Sequence, residues 1–544
     1  MNTRQLQTDK NQKLYHALLG ILLVCALAMM MLLSYWACKY SYYGAVDGRT
    51  RGVLVRDKTW AHIAAFLAAS LCTIGIDKVL MKKDKSQQEK ICLCTLIVTS
   101  VIAFILGVFY VCKNPYYPVG DQINTTAFAA YCRDGNFSML SIGGYVGMYQ
   151  QQKGLGILYE ILFTLFGDFN YRPAKILHVV WWILTILAGY GFLKLNTDRP
   201  VFRMLYCVMM LGCFPLLFYL PYIYGDVLSI SFGIILFYGV AAYEHSGQKR
   251  YIALASFAAG LAVLARKNTW IVLVAVAVYA LLASLRKWKV RYLLAGTAIL
   301  LTAALSVKAV DVIYEVRSGY PSGVGIPSIL WVAMGLQETE GRAGVYNRYQ
   351  QATFTDYDCQ QELAAQQGKK YIRERLEEFS QDPGMAFDFF KNKLEGQWIE
   401  PMYAALESTE SFEEGAELSP VLESLYYGEL GSTIWKLTNY YQSILYLAGL
   451  MALVMLGILW WKKKEVPISL WLPWIAVFGG FLFSILWEAK SRYVFPYCVF
   501  MILYAPEGLY QMGLLLCKLP KLRKFKKSGQ TQDKGEEASL RETA

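Results

Sequence analysis

The sequence predicts an all-α polytopic membrane protein of about twelve transmembrane helices, with one helix at the outer interface and one large extracytoplasmic loop. Three observations predict it. Of 544 residues, 56% are hydrophobic and 15% aromatic, and the mean hydropathy is +0.32. The apolar residues run in long blocks rather than at the spacing of half-buried helices. The basic residues cluster in short segments between those blocks, so the formal charge of +12 marks topology and gives no nucleic-acid signal.

The blocks follow in order. Ala17–Trp36, after Arg4, Lys10 and Lys13, has the length of an anchor and no convincing small-residue cleavage site behind it, which predicts a retained span. Trp60–Leu80 comes next, and Lys82–Lys85 marks its cytoplasmic end. Ile91–Val111 then leads outward. Parity places the 39–59 loop outside, despite Lys39, Arg49, Arg51, Arg56 and Lys58.

Leu155–Phe166 reaches only ~18 Å as a helix against a hydrocarbon core of ~30 Å, which predicts an interfacial or re-entrant helix. The following spans alternate: Ile176–Leu193, Met204–Tyr224, Val227–Tyr243, Tyr251–Ala265, Trp270–Leu285 and Tyr292–Ala309. The last group is Tyr440–Trp461, Pro467–Trp487 and Tyr493–Leu516. This order leaves Lys249-Arg250, Arg286–Arg291, Lys462–Lys464 and the Lys521–Lys527 tail inside, as the positive-inside rule requires.

Residues 310–437 are soluble in character, with 21 acidic residues against 10 basic ones, and face outside. Asp382-Pro383 reads as a helix N-cap followed by proline at the first helical position. Phe387, Phe390, Leu394 and Trp398 then share an apolar face. The organisation is a two-span extension (1–90), a transmembrane module (91–309) with a first outer loop (112–154), the large loop (310–437), C-terminal spans (438–517) and a cytoplasmic, polar tail (518–544).

Metal and nucleotide motifs are missing. His16, His62, His178 and His245 form no paired motif, and no Walker-type glycine loop occurs. Among twelve cysteines, Cys25, Cys72, Cys92, Cys94, Cys207, Cys213, Cys498 and Cys517 lie in or beside apolar blocks and read as small core residues. Cys132 and Cys359 sit in polar segments, with room for one disulfide between them.

The polar stretch Pro115-Tyr-Tyr-Pro118-Val-Gly120-Asp121 carries the chemistry. Its prolines and glycine stop the preceding helix, so Asp121 is expected on a fixed loop before a helix from about Asn124 to Cys132. It is either that helix's cap or a reactive carboxylate. The same outer side collects Lys153, Asp168, Asp226, Arg266-Lys267-Asn268, Glu488, Lys490 and Arg492. Charges in short outer turns are costly. Arg266 and Lys267 therefore either salt-bridge a neighbouring acid or bind a phosphate, where arginine can engage two oxygens at once.

Four features in this order resemble the GT-C superfamily of integral membrane glycosyltransferases, in particular its bacterial protein O-mannosyltransferase and aminoarabinose-transferase-like branch. They are Pro118-Val-Gly-Asp121-Gln122, Gln152-Lys153-Gly-Leu-Gly, Phe214-Pro…Tyr222-Ile-Tyr-Gly-Asp226 and Glu488…Ser-Arg492-Tyr493. The resemblance implies a GT-C-like fold in the cell membrane. It also implies transfer of a sugar from a polyprenyl-phosphate-linked donor to an acceptor hydroxyl on a glycan, protein or lipid, at the extracytoplasmic face. Asp121 would act as base, with Asp226 as a further catalytic member. Arg266, Lys267, Lys490, Arg492 and Lys153 would bind the donor phosphate, with Gln122, Asn268 and Glu488 nearby. Gln122 stands where relatives often carry a second acid, which leaves Asp121 to act alone or with Asp226 and gives no indication of a divalent metal; the cofactor stays unknown. A lipid-linked glycan flippase or a polysaccharide polymerase is the alternative.

Overall fold

Long apolar blocks with no solvent-facing polar stripe form helices whose lipid-side residues stay apolar. The computed structural model describes residues 3–43, 53–287 and 289–518. Expectations on Arg49, Arg51 and the Lys521–Lys527 tail fall outside these residues. Among the described residues, nine helices are long and apolar enough to cross a membrane: Asn11–Lys39, Thr59–Leu80, Lys85–Lys113, Arg172–Asn196, Asp226–Ser246, Lys267–Arg286, Arg291–Ser318, Glu429–Trp461 and Ile468–Leu486. The chain is thus a multi-pass membrane protein. On Lys85–Lys113, Ile97, Val101, Ile105 and Phe109 are exposed, an apolar face that suits lipid. The apolar window of Asp226–Ser246 is 83% buried against 28% for Lys85–Lys113, which makes the former the central helix.

Three of the twelve expected spans differ. Tyr493–Leu516 is two helices, Ser491–Met501 and Ala505–Lys518, bent by 60° and counting as a tenth crossing if taken together. Tyr251–Ala265 falls in a helix of 17 residues, Lys249–Ala265. Its buried alanines and Gly260 let Asp226–Ser246 and Arg291–Ser318 close around it. Met204–Tyr224 is not one helix. It runs Pro200–Leu211, breaks at Gly212, and resumes only as the short Phe214–Phe218. Pro215 opens that second piece, and Pro221 prevents its continuation.

Two short antiparallel hairpins depart from the all-α expectation. In the first, Tyr40–Tyr43 pairs with Val53–Arg56. The Tyr42 amide donates to the Ile399 carbonyl at 2.9 Å, which places the strand Tyr40–Tyr43 against the large polar loop. The second hairpin, Glu338–Thr339 with Arg342–Ala343, lies within that loop.

The helix Arg291–Ser318 outruns the expected span end at Ala309, and Glu429–Trp461 begins before Tyr440, so the irregular part of the loop is shorter than 310–437. Its helix Pro383–Trp398 is capped as expected, with the Asp382 carboxylate accepting from the Met385 amide at 2.9 Å. Its packed face differs. Phe389 is buried against Phe379, which turns Phe387, two residues or about 200° round the helix, outward to 68% exposure. Trp398 is fully buried and donates its indole N–H to Ser484 at 3.0 Å, docking the loop on the end of the Ile468–Leu486 helix.

Cys132 and Cys359 are free thiols in different clusters, Cys132 beside Phe128 and Tyr314, and Cys359 beside Leu330 and Phe354. No disulfide joins them. The apolar segment Leu155–Phe166 lies within the helix Gln152–Phe166. Beyond its end, Asp168 is ion-paired with Arg133 at the end of the Asp121–Arg133 helix. Lys175, in the first turns of the next helix, donates to the Tyr116 carbonyl at 2.8 Å. The turn that follows Gln152–Phe166 and the start of the next helix are thereby tied to the segments on either side of Asp121.

Candidate functional site

The loop before Asp121 is held by backbone pairing rather than by its own turns. The Tyr117 amide donates to Ser411 O at 2.9 Å, and the Glu413 amide donates to Pro115 O at 3.0 Å. Gly120 then takes φ +58°, a conformation costly for any residue with a Cβ, and turns the chain directly into a helix. That helix begins at Asp121 itself, not at Asn124. Asp121 is therefore the first helical residue, where an acidic side chain suits the helix N-terminus, and Gly120 occupies the cap position. Its carboxylate makes no capping bond. It accepts from the Tyr145 hydroxyl at 2.9 Å.

Asp121 lines a cavity of about 650 Å³, open to the outside of the bundle. Five cations line it, Arg266, Lys267, Arg348, Lys490 and Arg492, against two carboxylates, Asp121 and Glu488. Asn268, Tyr145, Tyr149, Gln152, Tyr224, Trp331, Tyr346, Trp487 and Tyr493 complete much of the wall. Sequence-distant turns build this lining. The Gly344 carbonyl accepts from the Ala489 amide at 2.7 Å and so brings the Tyr346–Arg348 segment beside Glu488.

Beneath the cavity floor, Asp226 is 1% exposed and ion-paired with Arg266. It also lies 3.9 Å from the Arg492 Nε. Gly225 permits the pairing, because a Cβ there would stand 2.0 Å from the Ala265 carbonyl oxygen. Both guanidinium groups stack over aromatic rings: Arg266 is 5.4 Å from the Tyr224 and Tyr493 centroids, and Arg492 is 5.1 Å from that of Tyr222. Asp226 is thus a buried counterion shared by two arginines.

Three other expected site residues are engaged elsewhere. Lys153 is 3% exposed and donates to Asp311 at 2.9 Å and Ser322 at 2.6 Å. Gln122 is buried and accepts from the Tyr116 hydroxyl at 2.5 Å. Asp168 pairs with Arg133. None of the three lines the cavity. Asp121, Arg266, Lys267, Asn268, Glu488, Lys490 and Arg492 are brought together as expected.

The cavity separates its charges. Among the described residues, Asp121 has no ion-pair partner, and neither have Lys267, Lys490 and Arg348. Burial, opposed by Lys490 and aided by Asp121, holds the Glu488 carboxyl up at about 7. Burial, then the neighbouring Tyr224 and Asp121, push the Tyr145 phenol well above its usual range, so it stays a hydrogen-bond donor. No group of three or more His, Cys, Asp or Glu side chains suited to a metal ion occurs among the described residues.

Sequence reasoning missed the aromatic and amide half of the wall. Tyr224 lay inside a motif singled out for its aspartate. Trp331 and Arg348 lie in an acidic loop without local signal. Compared with protein-family models, curated proteins and solved structures, the chain matches none.

Proposed function

We propose that this protein transfers a sugar from a polyprenyl-phosphate-linked donor to an acceptor hydroxyl at the extracytoplasmic face of the cell membrane. The observation that carries the reading is the charge separation in one cavity: a carboxylate, Asp121, that shares it with Lys267, Lys490 and Arg348, none of the four forming an ion pair among the described residues. An acceptor hydroxyl beside the carboxylate and a donor phosphate beside the cations would answer both.

In this reading the acceptor O–H gives its proton to the Asp121 carboxylate as its oxygen bonds to the anomeric carbon. The bond from that carbon to the phosphate oxygen breaks, and its electron pair leaves on the phosphate. Lys267, Lys490 and Arg492 receive the developing charge. Attack from the face opposite the leaving phosphate inverts the anomeric centre. Tyr145 orients the base, Asp226 holds Arg266 and Arg492 in place, and Lys153 has only a structural part.

The finer topology belongs to the same proposal. The chain crosses twelve times, with the broken Pro200–Phe218 segment and the short Lys249–Ala265 helix among the crossings. Gln152–Phe166 lies along the outer interface. Lys82–Lys85, Arg286–Arg291 and Lys462–Lys464 face the cytoplasm.

The test is a purified protein in lipid nanodiscs, given undecaprenyl-phosphate-linked radiolabelled sugars and a membrane-extract acceptor. Release of undecaprenyl phosphate together with label on the acceptor supports the reading. No release in nanodiscs, together with movement of intact donor across the bilayer when the same protein is reconstituted in sealed vesicles, would make the protein a flippase instead.

A further inference from the structure

The cavity has a second half that the transfer chemistry leaves unused. Trp331 and Trp487 lie with ring centroids 5.9 Å apart and planes within 3° of parallel. Trp331 meets Tyr149 at 6.2 Å, edge to face, and Tyr149 meets Tyr145 at 5.1 Å. Tyr145 in turn donates to Asp121 at 2.9 Å. A continuous aromatic track therefore runs from Trp487 to the base.

This track is not an ordinary aromatic belt. Interfacial tryptophans anchor a bundle by facing lipid headgroups. Trp331 and Trp487 face each other across elements far apart in sequence, and both line the cavity. Neither is fully buried, and Trp487 also stacks on Phe483, with centroids 4.9 Å apart, which fixes its ring plane at the cavity wall. Amide side chains accompany the rings: Gln350 and Gln351 line the same wall, and Gln351 accepts from the Tyr149 hydroxyl at 3.4 Å.

Flat π-faces beside neutral amides suit one class of molecule. A pyranose ring presents axial C–H bonds on one face, which rest on the negative face of an aromatic ring, and hydroxyls at its rim, which amides bind in both directions. An extended peptide would want unpaired backbone groups or a sheet edge along the groove. An acyl chain would want an apolar wall without amides. The volume, about 650 Å³, falls in the usual range for small-ligand sites and has room for more than a single reacting group.

We infer that the acceptor is a glycan, whose sugar rings stack along Trp487, Trp331, Tyr149 and Tyr145 so that a terminal hydroxyl reaches Asp121. The inference rests on the glycosyl-transfer reading and narrows its acceptor. The cationic side of the cavity then holds the lipid phosphate, and the aromatic side holds the chain that grows.

The experiment uses the full-length protein in nanodiscs and two separate binding measurements. Saturation-transfer NMR is run with soluble tetrasaccharides of glucose, mannose, galactose and N-acetylglucosamine, and with a Ser/Thr-rich peptide. Binding of undecaprenyl phosphate is measured on the same samples. At least one tetrasaccharide binds, and Trp331→Ala or Trp487→Ala weakens it about tenfold, while Trp487→Tyr retains most of it and undecaprenyl phosphate binding is unchanged in all three. The tyrosine variant keeps a stacking face, so its retention separates stacking from a folding defect. Absence of saccharide binding with undecaprenyl phosphate still bound overturns the glycan acceptor alone. So does peptide binding that survives Trp487→Ala. Absence of undecaprenyl phosphate binding in the wild type strikes the transfer reading itself, and with it this inference.

Discussion

The Tyr145 hydroxyl donates to the Asp121 carboxylate at 2.9 Å, and this bond ties the first residue of the helix Asp121–Arg133 to the segment beyond its far end. Tyr145→Phe removes the donor and leaves the ring. Turnover is expected to fall about tenfold, through lost orientation of the base, equivalent to about 1.4 kcal/mol of barrier. Donor binding stays within twofold. A transfer assay alongside a donor titration checks both numbers, and an unchanged rate would remove Tyr145 from the site.

Arg266 and the lysines beside it separate cleanly. Arg266→Ala leaves Asp226, 1% exposed, with only the longer 3.9 Å contact to Arg492, at a cost of up to about 3–5 kcal/mol in stability. Lys267→Ala and Lys490→Ala break no ion pair among the described residues, so each is expected to weaken donor binding several-fold with little change in unfolding temperature. Thermal unfolding measured beside donor affinity distinguishes the two classes. The sequence offered Arg266 as a phosphate ligand, with a salt bridge as the alternative; the structure pairs it with Asp226 while it lines the cavity.

Glu488 predicts a pH dependence. Its carboxyl is raised from 4.5 to about 7, chiefly by burial. Between those values the folded protein holds a proton that the unfolded chain has released, so the contribution to stability is full below about 4.5 and is lost as pH rises through about 7. Glu488→Gln is expected to flatten that decline. The wild-type cavity also gains a negative charge above about pH 7, so affinity for an anionic donor falls there, and does not fall in Glu488→Gln. Unfolding temperatures and donor titrations across pH 5–8, about the range between the two protonation states, check both outcomes.

Topology is open to a direct check. Single cysteines placed near Gln366 in a cysteine-free background are expected to react with an impermeant maleimide in intact cells, and cysteines near Lys463 only after permeabilisation. The reverse pattern would place the cavity on the cytoplasmic face.

The spans were legible because bilayer length and apolarity are local properties. Residues Asn11–Lys39 and Glu429–Trp461 announce themselves in any window. The break in Met204–Tyr224 had its signals too, in Gly212, Pro215 and Pro221, but block hydropathy masks them. Asp121, Lys267, Glu488 and Lys490 were legible as charges in polar segments at the ends of apolar blocks, where a charge needs a reason. Pairing was not. Lys153 meets Asp311 across 158 residues, and Asp226 reaches Arg266 only because Gly225 allows backbone contact at Ala265. The aromatic wall was invisible for the same reason, since Trp331 and Trp487 acquire meaning only once the outer loop docks on the helix end.

The central claim is that Asp121 takes the acceptor's proton, and Asp121→Asn tests it most directly, because it preserves size and the Tyr145 contact but removes the basic oxygen. Transfer from an undecaprenyl-phosphate-linked sugar is measured with the purified variant under single-turnover conditions, beside donor binding on the same sample. The account predicts a rate lower by about 10²–10⁴-fold with donor affinity intact. A variant that binds donor and transfers sugar at close to the wild-type rate would contradict it.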